Sequence, residues 1–359
     1  MVYNIQEYLP DFTSEEDVKK SLQKELSQYF GCNYSGLVAN GTIAIEVVLK
    51  ALKLTRGQGV IVPEISFIAT ATAVANCGLI PVYADVSAGH YGITLESIIQ
   101  KYKFAKDNGV DIGAVIVVHF AGFVNREIYE IKEFCVQNHI FLIEDCAQAF
   151  PCRIRGKRVG TIGDAGTFSF QSSKIINSGE GGLITTNSEK VAQNCEAVLN
   201  WGLSFPGLER DCDIPSSNFR LSAIQSYFIL KQLKRIDEIV QERLELNQKL
   251  LETCRKFKVV PSPPPENKEI FDCPFFFPLK SNKRINTVEP RTEYPMRKSK
   301  IVKSILKSFY PDLLGRYLEL NQNLDREDIN DRILSENDFI NFRSLNHCSC
   351  EGLIRQYIT

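Results

Sequence analysis

The stretch Phe168-Ser-Phe-Gln-Ser-Ser-Lys174-Ile-Ile-Asn-Ser-Gly179-Glu180-Gly181-Gly182 sets one lysine between a hydroxyl-rich turn and a run of glycines. An amine fixed beside a ligand aldehyde can form a Schiff base and later move a proton. The flanking serines can donate hydrogen bonds to a phosphate. The glycines let the backbone pass close to a ligand. Taken alone, Lys174 is an ordinary surface lysine. A second stretch, Phe141-Leu-Ile-Glu-Asp145-Cys-Ala-Gln148-Ala, puts a carboxylate at the end of an apolar run. An anion there can keep the nitrogen of a bound aromatic ring protonated, so that the ring accepts electrons. Gln148 can hydrogen-bond a ring hydroxyl oxygen. The structural alternative for Asp145 is a helix N-cap. Upstream, Ala39-Asn40-Gly41-Thr42-Ile43-Ala44 opens a helix whose first N–H groups and dipole favour a phosphate. Ser66-Phe67-Ile-Ala-Thr70 offers an aromatic face for ring stacking, although core packing alone would also explain Phe67.

These residues need elements to carry them. Short β-rich runs alternate with helical stretches along the first half. Strands are expected at 35–39, 59–63, 80–84, 114–119 and 140–144. Helices are expected at 43–52, 67–75, 95–108 and 127–138, with Thr94 as an N-cap. Such alternation argues for an α/β fold with a mostly parallel central sheet flanked by helices on both faces. Ligands in such sheets bind beyond the carboxyl ends of the strands, where Asn40 to Thr42, Asp145 and Gln148 fall. One long amphipathic helical region is expected over 222–253, containing Leu230, Leu233, Ile236, Ile239 and Leu244. Pro261-Ser-Pro-Pro-Pro265 then marks the passage into a smaller C-terminal unit. The resulting division is a large ligand-binding domain, 1–245, opening with an N-terminal segment, 1–21, and a small C-terminal α+β domain, 246–359.

Composition narrows the function classes. Lys+Arg is 42 and Asp+Glu is 43 in 359 residues, which gives no support to a nucleic-acid partner. No basic and apolar leader is evident near Met1, and the apolar runs are far too short to span a membrane. A cytoplasmic protein with no membrane partner is the expectation. The 11 cysteines read as reduced thiols, mostly buried. The 4 histidines and the cysteines lack ligand spacing, so no metal site is expected.

Together these stretches resemble the DegT/StrS-type sugar aminotransferases, which are fold-type-I enzymes dependent on pyridoxal 5'-phosphate. The resemblance covers roughly residues 22 to 250. Besides the stretches above it includes Val62-Pro-Glu-Ile-Ser-Phe-Ile-Ala-Thr70, Pro81-Val-Tyr-Ala-Asp85, Val118-His-Phe-Ala-Gly122 and Ser217-Asn-Phe-Arg-Leu-Ser222. Order and spacing agree throughout, and several motif contexts confirm one another.

The resemblance implies roles by position. Lys174 matches the lysine that binds the cofactor covalently and shuttles the proton. Asp145 matches the partner of the ring nitrogen, and Gln148 the contact to the ring hydroxyl. Gly41, Thr42 and Ser169 match phosphate contacts, and Phe67 the aromatic that stacks on the ring. Asn218 matches a residue reaching the phosphate in the neighbouring subunit, which implies a homodimer with shared active sites. His119 falls near the cofactor in the family, with a satisfied buried histidine as the alternative. Arg220 could hold a substrate carboxylate or serve structure at the interface, and Glu180 could orient the lysine loop. The implied activity is a transaminase that passes an amino group from an amino acid, glutamate by family habit, to a nucleotide-linked keto sugar. This is a step of amino-sugar or surface polysaccharide biosynthesis. Two other readings stay open. One is a dehydratase on the same fold, disfavoured because such relatives replace the lysine. The other is a non-catalytic member that binds cofactor or sugar. The chain departs from the family at Asn200-Trp201-Gly202, in the loop 204–217 and beyond residue 270. Those departures bear on the substrate more than on the cofactor.

Overall fold

The computed structural model describes residues 9, 11–87, 90–203, 214–256, 260–261, 267–280, 300–321 and 337–341. Helix α1 (Glu15–Phe30) opens on Ser14, whose hydroxyl accepts the Asp17 N–H, and closes on left-handed Gly31. Glu15, Glu16 and Asp17 fill its first turn, where the helix dipole favours negative charge. Strand and helix then alternate through β1 (Tyr34–Val38), α2 (Gly41–Ala51), β2 (Gly59–Pro63), α3 (Ala69–Asn76), β3 (Ile80–Ala84), α4 (Leu95–Asp107), β4 (Ile112–Val118), α5 (Ile128–Gln137) and β5 (Phe141–Asp145). Thr94 caps α4 as expected, accepting the Ser97 N–H. The short strands β6 (Arg153–Ile154) and β7 (Lys157–Arg158) precede β8 (Ala165–Ser169), β9 (Gly182–Thr186) and α6 (Glu189–Leu199).

Seven strands form the central sheet in the order β1-β9-β8-β5-β4-β2-β3. The pairs from β8 through β5, β4 and β2 to β3 are parallel, whereas β9 runs antiparallel to both β8 and β1. Every residue of β2, β3 and β4 is buried, because helices cover both faces of the sheet. Alternation in burial is therefore absent, and these strands read as continuous Val/Ile-rich runs.

Beyond the sheet come α7 (Ala223–Leu233) and α8 (Ile236–Lys256). The single helical region expected over 222–253 is thus two helices. The break lies at Lys234–Arg235, where no proline or glycine announces it, and α8 runs as one helix through position 246. The remaining described elements are β10 (Val260–Pro261), β11 (Ile270–Phe271), β12 (Phe276–Lys280), α9 (Lys300–Phe309), α10 (Pro311–Asn321) and β13 (Asn337–Asn341). Strands β10, β12 and β13 make an antiparallel sheet, and β11 pairs with β6. Most of the expected small domain lies outside the described residues, as does the loop 204–213.

Helix α9 packs on α3 and α10 on β3, the last strand of the sheet. Asn321 treats that strand as a partner would: its Oδ1 accepts the Tyr83 N–H (3.2 Å) and its Nδ2 donates to the Pro81 carbonyl (3.1 Å). Two backbone groups on the outer edge are thereby satisfied by one side chain.

Candidate active site

Strand register brings the chemistry to one edge of the sheet. Val38 and Ser169 both pair with Gly182, and Val118 pairs with Asp145, so the carboxyl ends of β1, β8, β4 and β5 lie together. A cleft of about 760 Å³ opens there. Gly41, Thr42, Phe67, Asp145, Gln148, Ser169 and Lys174 all line it. Seven of the eight residues singled out as cofactor contacts from the sequence therefore meet in one cavity. Asn218, the eighth, does not line it; it is exposed and pairs with Asn200 across an isolated bridge.

Asp145 ends β5 and is buried. Its carboxylate accepts the Thr70 hydroxyl (3.0 Å) and the Ala147 N–H (3.1 Å). Burial pushes its pKa above the ordinary carboxylate value, opposed by the Ala147 N–H, the Thr70 hydroxyl and the Lys174 charge. Gln148 is buried two residues on from Cys146, and its Oε1 accepts the Ala121 N–H at 2.6 Å. That bond assigns the side-chain oxygen and leaves the amide N–H groups as its donors.

Lys174 sits on a braced loop. Phe170 and Ser172 donate backbone N–H groups to Gly181 and Gly179, and Ser178 donates back to Phe170. Gln232 of α7 clamps the loop from outside, donating to the Asn177 carbonyl (2.6 Å) and accepting its N–H (3.1 Å). Glu180 lines the cleft, and its carbonyl accepts from Ser178 Oγ and Gln225 Nε2, which ties down the lysine loop through the backbone.

Opposite the lysine, Asn40 caps α2 by accepting the Ile43 N–H at 2.9 Å, and the first turn of α2 borders the cleft. A Cβ on Gly41 would lie 2.8 Å from Ser169 Cβ, so only glycine lets this turn meet the end of β8. Backbone N–H groups, Thr42 and Ser169 thus converge where an anion would be held. Phe67 precedes α3 instead of belonging to it and is 45% exposed although it borders the cleft. Core packing does not account for it.

His119 is fully buried and its ring is satisfied. Nδ1 accepts the Asn125 N–H (3.1 Å), which leaves Nε2–H to donate to Glu144 (3.0 Å). Glu144 also accepts the N–H groups of Gly160, Ile162 and Gly163. With Cys146 these side chains bring three ligand-type atoms within 4.8 Å of one another. Hydrogen bonds inside the protein already engage the histidine and the carboxylate. Arg220 stacks 4.3 Å from the Trp201 ring centroid and donates to Asn200 Oδ1 (2.8 Å), so it props the Asn200–Trp201 stretch.

Thr70 and Phe275 are among the cleft residues to which the sequence assigns no role. Thr70 is one turn beyond Phe67 in the same motif and donates to Asp145, with Ser66 at 2.9 Å behind it. Phe275 comes from the chain beyond α8, and nothing in its spacing marks it. The Thr70 bond makes a testable claim. Thr70→Val removes a donor from a charged acceptor and raises the Asp145 pKa further. A carboxyl whose folded pKa lies above its unfolded value loses stability as pH rises through the folded pKa. Thr70→Val is therefore expected to cost about 1–2 kcal/mol at neutral to alkaline pH and clearly less at acid pH, read by urea unfolding at both. An equal loss at both ends would mean that the hydroxyl does not act on the charge.

The sheet order, the lysine loop and the cleft at the strand ends define the fold-type-I architecture, the one found in pyridoxal-phosphate-dependent aminotransferases. An aminotransferase structure from Psychrobacter cryohalolentis superposes with a TM-score of 0.69 at 24% identity, over 91% of this chain and 86% of that one. The PLP form of a putative sugar aminotransferase from Streptococcus pneumoniae gives 0.70 at 18%, over 89% and 90%. The chain belongs to the DegT/DnrJ/EryC1/StrS aminotransferase family, whose sequence model matches residues 6–294. GDP-perosamine synthase of Vibrio cholerae is 31% identical over 224 residues, which are 62% of this chain and 59% of that protein. The chain spans about three fifths of the length of the curated relatives it matches.

Proposed function

We propose that this cleft is the active site of a pyridoxal-phosphate-dependent aminotransferase that moves an amino group from an amino acid, glutamate first among candidates, to a nucleotide-linked keto sugar. The observation that carries the reading is Lys174 facing the same cleft as a buried Asp145, with an anion cradle at its rim. Names of relatives point the same way: GDP-perosamine synthase, and a putative L-glutamine-dependent inosose aminotransferase of Micromonospora echinospora. Amino-sugar or surface polysaccharide biosynthesis is the setting this implies.

The residues present fit the cofactor. An exposed aromatic, a buried carboxylate and a helix N-terminus flanked by Thr42 and Ser169 are the groups that a flat, cationic, phosphorylated ring requires. When bound, pyridoxal phosphate supplies an aldehyde for amine exchange and a ring that takes up the electron pair left when a proton departs from the substrate carbon. Asp145 would hold the ring nitrogen in its protonated state. Gln148, its oxygen tied to Ala121, would donate an amide N–H to the ring hydroxyl oxygen. Phe67 would stack on the ring. The first turn of α2 with Thr42 and Ser169 would anchor the phosphate. Lys174 would hold the aldehyde carbon and, once released, carry the proton between substrate and cofactor carbons.

The reading includes a homodimer. Asn218 is exposed and does not line its own cleft, which supports a role toward a second copy. Ile224 and Phe228, one turn apart on α7, are 55% and 54% exposed, which gives that helix an apolar outer face. Among the described residues no helix is long and apolar enough to cross a membrane. Seven of the eight described cysteines are buried. The reading includes a cytoplasmic site of action, where buried thiols stay reduced.

Visible absorbance tests the proposal. Purified protein given pyridoxal phosphate should show a band from its linkage to Lys174, and glutamate or glutamine should bleach it. A panel of nucleotide-linked keto sugars should then restore it. A protein that shows no band sinks the aminotransferase reading, and a band indifferent to every amino acid favours the non-catalytic one.

A further inference from the structure

One wall of the cleft comes from the chain beyond α8. The segment Asp272–Phe275 runs from β11 to β12 and is fastened to the turn that follows β4. The Cys273 N–H donates to the Gly122 carbonyl (3.1 Å), and the Phe275 N–H donates to the Ala121 carbonyl (2.7 Å). The Asp272 carboxylate takes both guanidinium nitrogens of Arg126, at 3.0 and 2.6 Å, and the Val124 N–H at 2.8 Å. A Cβ on Gly122 would fall 2.1 Å from the Cys273 carbonyl oxygen, and its φ is +82°, so this approach requires glycine. Ala121 itself adopts a left-handed φ of 58°. Its N–H orients Gln148 while its carbonyl holds Phe275. A strained turn that grips two cleft residues at once is a feature to be explained.

The fastening delivers the Phe275 ring, 6% exposed, to a point where its centroid lies 4.8 Å from Lys174 Nζ. We propose that Phe275 is the positioning residue for Lys174: its π face holds the lysine nitrogen in cationic form and keeps water from that side. The inference rests on Lys174 being the cofactor-bearing lysine. Lysine has a four-carbon stem with many rotamers, and a ring at this distance restricts where the nitrogen rests. Among the described residues lining the cleft, the other charged groups are Asp145 and Glu180. Both carboxylates also favour a cation, and neither changes when Phe275 is replaced.

The test is the pH titration of the absorbance band formed when pyridoxal phosphate is added to wild type, Phe275→Leu and Phe275→Tyr. Leucine keeps an apolar side chain without the π face, whereas tyrosine keeps the face. The midpoint in Phe275→Leu should fall by about 0.5 pH unit, the size of a modest cation–π interaction, and Phe275→Tyr should titrate with wild type. If the leucine variant melts early, Phe275→Met fills the same space with a flexible chain and carries the same expectation. Leucine, methionine and wild type titrating together would overturn the proposal, because the ring would then be packing alone. A wild-type protein with no band would instead remove the reading of Lys174 beneath it.

Discussion

Lys174→Ala should abolish the pyridoxal-phosphate band and slow amino-group transfer by about 10⁴-fold or more, while the protein still folds. The magnitude follows from losing both the covalent attachment and the group that moves the proton, each a contribution of several orders in enzymes of this kind. The fold should survive because the lysine loop is braced from its ends. Backbone bonds from Phe170, Ser172 and Ser178, and the Gln232 clamp on Asn177, do not involve the lysine side chain. Pyridoxal phosphate should still bind, more weakly, because the cradle at the start of α2 is untouched. Lys174→Arg separates charge from nucleophilicity. Arginine stays protonated and cannot attack an aldehyde, so it should fail as alanine does. The checks are absorbance after cofactor addition, single-turnover kinetics with glutamate, and thermal melts. A Lys174→Ala protein that retains the band would place the attachment elsewhere and overturn the site.

Local rules reached far into this fold, and the misses have physical causes. Strands β2 and β3 lie at the residues that the apolar runs indicate, because fully buried parallel strands are continuous runs bounded by turn residues. The Thr94 cap was legible for the same local reason. Asp145 and Lys174 could be read because their motifs couple side-chain type to the end of an element. The insertion of β9 between β1 and β8 could not, since the pairing of β9 with β1 joins partners remote in sequence. The break between α7 and α8 carries no proline or glycine, and tertiary packing sets it. Thr70 was within reach, three residues beyond Phe67 in the same motif and with a hydroxyl to offer. Phe275 was not: it meets Lys174 only through the contact between residues 121–122 and 273–275, which no periodicity reports.

Asp145→Asn should move stability and function in opposite directions. In the cofactor-free protein the buried carboxylate has its pKa raised, chiefly by desolvation. The folded state therefore binds a proton more readily than the unfolded chain. Between the unfolded value and the raised folded one, stability falls as pH increases, and above that window the full cost of a buried charge remains. Asparagine removes that charge with nearly the same shape. The Ala147 N–H can still donate to its oxygen, and Thr70 can turn to accept from its amide. Cofactor-free Asp145→Asn should consequently melt above wild type at neutral and alkaline pH, and the gap should close as pH drops through the Asp145 pKa. With pyridoxal phosphate the order reverses. The ring nitrogen loses its anionic partner, and truncating one side of a buried charge pair costs about 3–4 kcal/mol, or roughly 10²–10³-fold in the amino-acid half-reaction. The cofactor should also raise the melting temperature of wild type more than that of the variant. That pair of outcomes would show a residue that costs the empty fold stability and serves the filled site by its charge. Should cofactor-free Asp145→Asn melt below wild type at every pH, the carboxylate would be serving the fold itself, and its assignment to the ring nitrogen would lose its main physical support.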